Sequence, residues 1–206
     1  MNDIKVLVFD LGGVLFADSK TISFPILREK YGYDTDLILK VIRSEYFQQL
    51  RAGLIEEKVF WEWAKTQLPK DYKIDIIKQE LWNGYILDQD IYDLILKLKP
   101  HYKIMAFSGN TKERVNYLEN KYHFKHLFDI ELYSFDCGAL FGKQDDGFYK
   151  EMLKKAGVKS EEILFIDNRV ESLRLAKDLV GVEGIVYTRG EINLLKEKLK
   201  DFQIKL

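Results

Sequence analysis

The stretch that decides the fold is Ile4-Lys5-Val6-Leu7-Val8-Phe9-Asp10-Leu11-Gly12-Gly13-Val14-Leu15. Its first half is a short apolar run rich in β-branched residues, and an acid followed by two glycines closes it. That pattern reads as a buried strand ending in a tight turn. Three similar runs follow: Lys103-Ile104-Met105-Ala106-Phe107, Ile163-Leu164-Phe165-Ile166 and Gly184-Ile185-Val186-Tyr187. Ile130-Glu131-Leu132-Tyr133 is a weaker fifth. Helical patterns at 110–121, 144–156, 168–178 and 190–200 lie between or after these strands. Alternating strand and helix predicts an α/β fold, a Rossmann-like three-layer core with a parallel sheet covered on both faces. Right-handed crossovers then gather the strand C-termini on one edge, where ligands of open α/β sheets bind.

The stretch from 18 to 88 breaks this rhythm. It has no strong strand signal, and helical patterns fall near 36–51, 55–68 and 73–83. Asp34-Thr35 offers an N-cap for the first, and Gly53 separates the first from the second. Trp61, Trp63 and Trp82 are expected to form the core of a small helical bundle rather than to face a ligand. Two units follow: a core of residues 1–17 and 89–206, and a helical cap of 18–88 inserted after the first strand and over the strand ends.

Composition narrows the partners. Among 206 residues, 32 are basic and 33 acidic, a net charge of -1 that gives no electrostatic reason to expect nucleic acid or an anionic membrane. No apolar run reaches the length of a membrane span, and the N-terminal residues do not read as a cleavable leader. The lone Cys137 excludes an intramolecular disulfide and a thiolate zinc cluster, and reads as a small, buried or half-buried side chain. Three histidines argue against an imidazole-rich metal site. A cytoplasmic protein with a small-molecule partner is the expectation.

Four polar sites stand at or just beyond strand ends. They are Asp10, Ser108, Lys143 and Asp167-Asn168. Taken singly, each has an ordinary explanation. Asp at a strand end often caps a turn, Ser108-Gly109-Asn110-Thr111 suits a capped helix start, and a lysine is usually solvated. An acid, a hydroxyl, a cation and a second acid on one sheet edge can instead converge on one pocket.

Phe9-Asp10-Leu11-Gly12-Gly13-Val14-Leu15 resembles the first motif of haloacid dehalogenase superfamily hydrolases. Ser108-Gly109-Asn110-Thr111 resembles their second motif. Lys143-Gln144-Asp145 with Phe148-Tyr149 resembles the third, and Phe165-Ile166-Asp167-Asn168 the fourth. The segment Arg51 to Trp61 is similar to a cap segment of the subgroup with a helical cap after motif one. The resemblance implies a phosphatase acting on a small phosphorylated metabolite. Asp10 would be the nucleophile and form an aspartyl-phosphate. Ser108 and Gly109 would hold phosphate oxygens at a helix start, and Lys143 would neutralise nucleophile and phosphate. Mg²⁺ would bind through Asp10, the Gly12 carbonyl, Asp167 and Asn168.

The pattern departs from the family at two places. Many of these phosphatases carry a second Asp two residues after the nucleophile, which protonates the leaving group; here that place is Gly12. Asn168 stands where an acid usually binds Mg²⁺, with Glu171, Asp145 or Asp146 as possible substitutes. Two alternatives follow: a binding or regulatory protein that kept the fold and lost turnover, and a metal-independent dehalogenase. Arg43, Glu45 and Arg51 could line the pocket, but solvated faces of cap helices are the favoured reading.

Overall fold

The computed structural model describes residues 3–137 and 146–206. Five strands form one all-parallel sheet: β1 (Val6–Phe9), β2 (Lys103–Ser108), β3 (Ile130–Tyr133), β4 (Ile163–Asp167) and β5 (Glu183–Val186). Their order is β3-β2-β1-β4-β5. β1 is central and pairs Phe9 with Ala106 of β2 and with Ile166 of β4. Strand order reverses beside β1, and such a reversal opens a crevice at the strand C-termini.

Alternate residues feed two cores, as a strand's period of two requires. Leu7, Phe9, Ile104, Ala106, Leu164 and Ile166 pack on one face. Val6, Val8, Met105, Phe107, Ile163 and Phe165 pack on the other. The first face is covered by α6 (Gln89–Leu98), α7 (Lys112–Tyr122) and α10 (Ile192–Asp201); the second by α8 (Asp146–Ala156) and α9 (Val170–Val180). The sheet is therefore buried on both sides, which is why its strands read as nearly continuous apolar runs. Among the described residues no helix is long and apolar enough to cross a membrane. Cys137 is half-buried.

Between β1 and β2, five helices precede α6: α1 (Ser19–Tyr31), α2 (Thr35–Arg43), α3 (Glu45–Arg51), α4 (Glu57–Gln67) and α5 (Ile74–Asn83). They share a third cluster, in which Leu27, Ile38, Phe47, Phe60 and Ile77 are central. Trp61 and Trp63 pack against it, whereas Trp82 lies against Tyr117 of α7, with ring centroids 5.1 Å apart. The single helix expected over 36–51 is two. Ser44 leaves helical geometry at ψ 159° and its hydroxyl accepts from the Phe47 N–H, so it ends α2 and caps α3. The segments that enter and leave this layer run side by side: the Ala17 N–H donates to the Ile86 carbonyl, and the Asp88 N–H to the Leu15 carbonyl, both at 2.8 Å.

Candidate active site

Asp10 is the first residue past β1, and its N–H donates to the Ile166 carbonyl at 3.0 Å. It is buried, as are Ser108 at the end of β2 and Asp167 at the end of β4. Three adjacent strands thus bring these side chains together at the crevice. The chain then turns sharply, with the Gly13 N–H donating to the Phe16 carbonyl at 2.6 Å. Gly13 has φ 91°, and a Cβ there would overlap the Asn168 amide. Only glycine meets both conditions. Gly109 leaves room for a side chain from the cap: a Cβ there would overlap Nη2 of Arg51, so the guanidinium lies directly on the Ser108-Gly109 loop.

Burial pushes the Asp10 carboxyl above its usual range, opposed by the Arg169 charge and a hydrogen bond from Ser108. Asp167 is pushed up to about 7 by burial and by the Asp10 charge, with Arg169 opposing. Two carboxylates in one buried site, the second raised further by the charge of the first, favour a bound cation. Asp167 also accepts from the Arg169 N–H at 2.7 Å.

The oxygen donors suit magnesium, a hard cation. The Asp10 carboxylate, the Gly12 carbonyl and Asp167 meet the Asn168 amide at the same edge. With its nitrogen turned inward, the amide donates to the Gly12 carbonyl at 3.1 Å and to Asp167 Oδ1 at 3.3 Å. Turned over, it presents an oxygen to the same space. The residues present therefore fit Mg²⁺, with Asn168 contributing a neutral ligand. Asp146 starts α8 and pairs with Lys150, and Glu171 is exposed on α9. Lys143, Gln144 and Asp145 lie outside the described residues.

A cavity of about 400 Å³ opens above Asp10. Its walls come from the sheet edge and from α1 to α3, α5 and α7. A family model for haloacid dehalogenase-like hydrolases matches residues 4–179. The chain belongs to that family. An uncharacterized protein of Dictyostelium discoideum is 38% identical, the match covering 96% of each chain. In fold, this haloacid dehalogenase-like hydrolase is similar to a predicted HAD-like family hydrolase from Porphyromonas gingivalis. That similarity has a TM-score of 0.77 and 23% identity, over 97% of this chain and 99% of that one. It is also similar to the HAD family enzyme bt-2542 from Bacteroides thetaiotaomicron, solved with magnesium and inorganic phosphate. Here the TM-score is 0.75 and identity 22%, over 91% and 96% of the two chains.

Sequence reasoning missed most of the cavity's cations in this haloacid dehalogenase-like hydrolase. Arg51 and Arg43 line the cavity, the less favoured of the two readings for them, with Arg51 half-buried and Arg43 still exposed; Glu45 is exposed and outside the lining. Arg114 and Arg169 line it too. Arg51 is lowered to about 10 by burial and by the nearby charges of Arg169 and Arg114. The Ser134 hydroxyl fixes this arrangement. It donates to the Arg51 carbonyl at 2.6 Å and accepts from the Asn110 N–H at 3.1 Å, tying the end of α3 to the Ser108 loop. The spacing of 83 residues between Arg51 and Ser134 explains why no local pattern revealed it.

Proposed function

We propose that the protein is a Mg²⁺-dependent phosphohydrolase of small phosphorylated molecules, working through an aspartyl-phosphate at Asp10. The observation that carries this reading is the placement of buried Asp10 at the floor of a cavity whose wall holds Lys20, Arg43, Arg51, Arg114 and Arg169. A nucleophilic carboxylate beneath a cluster of cations suits an anionic electrophile. That a structural relative was solved with magnesium and inorganic phosphate supports the same chemistry.

In this reading an Asp10 oxygen attacks phosphorus in line with the leaving group. Ser108 and the backbone at Gly109 hold phosphoryl oxygens, and Lys143 adds a positive charge. Asp10, the Gly12 carbonyl, Asp167 and Asn168 would hold Mg²⁺, which when bound would neutralise charge between the nucleophile and the phosphoryl group. The Arg169 charge opposes the upward shift of both Asp10 and Asp167 and so favours their ionised forms. Residues 18–88 act as a cap that shapes the cavity and excludes water.

A second reading is favoured by Gly12 and Asn168: a binding or regulatory protein that retains the pocket without turnover. A metal-independent dehalogenase is a weaker third. A panel of phosphate esters, acyl phosphates and 2-haloacids, with and without Mg²⁺, separates them. Phosphate release that requires Mg²⁺ and is lost in Asp10→Asn supports the phosphohydrolase. Halide release without metal supports the dehalogenase. Binding of phosphate without turnover of any substrate supports the binding protein.

A further inference from the structure

We infer that the scissile bond is a phosphoanhydride, and that the substrate is a small diphosphate monoester cleaved at its terminal phosphorus. The inference rests on the phosphohydrolase reading above and names its substrate class. Two features of the cavity point to it.

The first is what stands beside Gly12. Its nearest neighbour on the side a side chain would occupy is the Tyr85 ring, whose Cε1 is 3.6 Å from an ideal Cβ. The space that would hold a leaving-group acid is bounded by an aromatic edge. The described carboxylates of the wall are Asp10 and Asp18. Asp18 caps α1 and holds Lys20 Nζ at 2.6 Å, so it is engaged elsewhere. No histidine lines the cavity among the described residues. Among the described residues, a leaving group that needs a proton finds no free carboxylic acid in this wall.

The second is the pair Arg51 and Arg114. Arg51 donates to Gln48 Oε1 at 3.2 Å, and Arg114 to the Tyr85 hydroxyl at 3.1 Å and to Asn110 Oδ1 at 3.2 Å. These partners are neutral. Among the described residues neither guanidinium has a carboxylate partner, and the Nε of each is buried with no hydrogen bond. Both side chains are half-buried, and cations drawn out of water are ordinarily paired. Two guanidiniums close enough to repel each other, held by neutral groups on the wall of an anion site, lack the anion that would pair them. Their planar forks match phosphate oxygens.

The chemistry then balances without an acid. An Asp10 oxygen bonds to the terminal phosphorus and the bond from that phosphorus to the bridging oxygen breaks. The electron pair stays on the bridging oxygen, which leaves as part of a phosphate monoester dianion held by Arg51 and Arg114. Water then attacks the aspartyl-phosphate phosphorus, and the Asp10–phosphorus bond breaks. The pair returns to the carboxylate, and the proton of water passes to solvent.

Butyl diphosphate, butyl phosphate and phenyl phosphate test this with the full chain and Mg²⁺. The expected result is release of inorganic phosphate from butyl diphosphate with butyl phosphate accumulating. The kcat/KM for the diphosphate should exceed that for butyl phosphate by about 10²-fold or more. Arg114→Gln should lower the diphosphate value on the order of 10²-fold and the phenyl phosphate value less than tenfold. Arg114→Lys, which keeps the charge and loses the fork, should recover part of the loss. Butyl phosphate turned over as fast as the diphosphate overturns the inference, as does an equal loss on both substrates in Arg114→Gln. Phenyl phosphate hydrolysis without diphosphate preference overturns this inference alone. No release from any of the three overturns the phosphohydrolase reading with it.

Discussion

Gly12→Asp places a carboxylic acid where many relatives of the superfamily carry one, and the structure allows its effects to be worked out. Gly12 lies outside the left-handed region, unlike Gly13, so an L-residue is not strained there. An added Cβ would meet Tyr85 Cε1 at 3.6 Å, an ordinary van der Waals contact. The first atom of the new side chain therefore fits. The cost is electrostatic: a third carboxylate enters a site where burial already raises Asp10 and Asp167, and the Asp10 charge raises Asp167 further. A like-charged pair in contact near a protein surface is worth up to about 4 kcal/mol. Arg51, Arg114 and a bound divalent cation offset much of it. The variant should melt lower than wild type without Mg²⁺ and recover when Mg²⁺ is added. General acid catalysis contributes about 10²–10⁴-fold, equivalent to roughly 3–5 kcal/mol of barrier. Its benefit grows with leaving-group pKa, so alkyl phosphates should gain most and aryl phosphates least. The assay is kcat/KM over a series of phosphate esters plotted against leaving-group pKa. Wild type should give a steep negative slope and Gly12→Asp a shallower one. A shallow slope in wild type, or an unchanged slope in a folded Gly12→Asp variant, would refute the reasoning.

Asn168→Asp should bind Mg²⁺ more tightly, since a charged oxygen replaces a neutral one beside the Gly12 carbonyl and Asp167; calorimetric titration of both proteins checks it, and equal affinities would sink it. Gly13→Ala should lose at least about 2 kcal/mol of stability by urea denaturation, because φ 91° is strained for alanine and its methyl group displaces the Asn168 amide. Lys143→Ala should lower kcat/KM for phosphate esters on the order of 10²-fold through loss of a positioned cation. Unchanged kinetics would leave Lys143 a surface residue.

The sheet was readable because β1, β2 and β4 are buried on both faces and so form apolar runs that need no partner to be recognised, while the half-buried edge strand β3 gave the weaker signal. The Asp10, Ser108 and Asp167 convergence followed from the same fact, since parallel strands deliver their C-termini to one edge. The helical layer was less legible. The buried face of α1 carries Ser19, Ser23 and Leu27, so the four-residue period exists without an apolar stripe, and Pro25 lies inside the helix. By contrast, α6 buries Ile91, Leu94, Ile95 and Leu98 behind an Asp88 cap, a signal present in the sequence but not read there as a helix. Arg51 was weighted toward solvent because its position on α3 resembles that of any exposed helix-end arginine. What buries it is Gly109 and the Ser134 bridge, both remote in sequence. Tyr85 carried no motif. Its meaning comes from the absence of a side chain at Gly12.

The central claim is that Asp10 takes the phosphoryl group, and acid-quenched mass mapping tests it most directly. Wild-type protein is mixed with Mg²⁺ and an excess of phenyl phosphate, quenched in acid during turnover, and digested. The account predicts a phosphoryl adduct on the peptide that contains Asp10, absent from Asp10→Asn, which should also release no phosphate above background. Steady turnover in Asp10→Asn, or an adduct on a different residue, would contradict it.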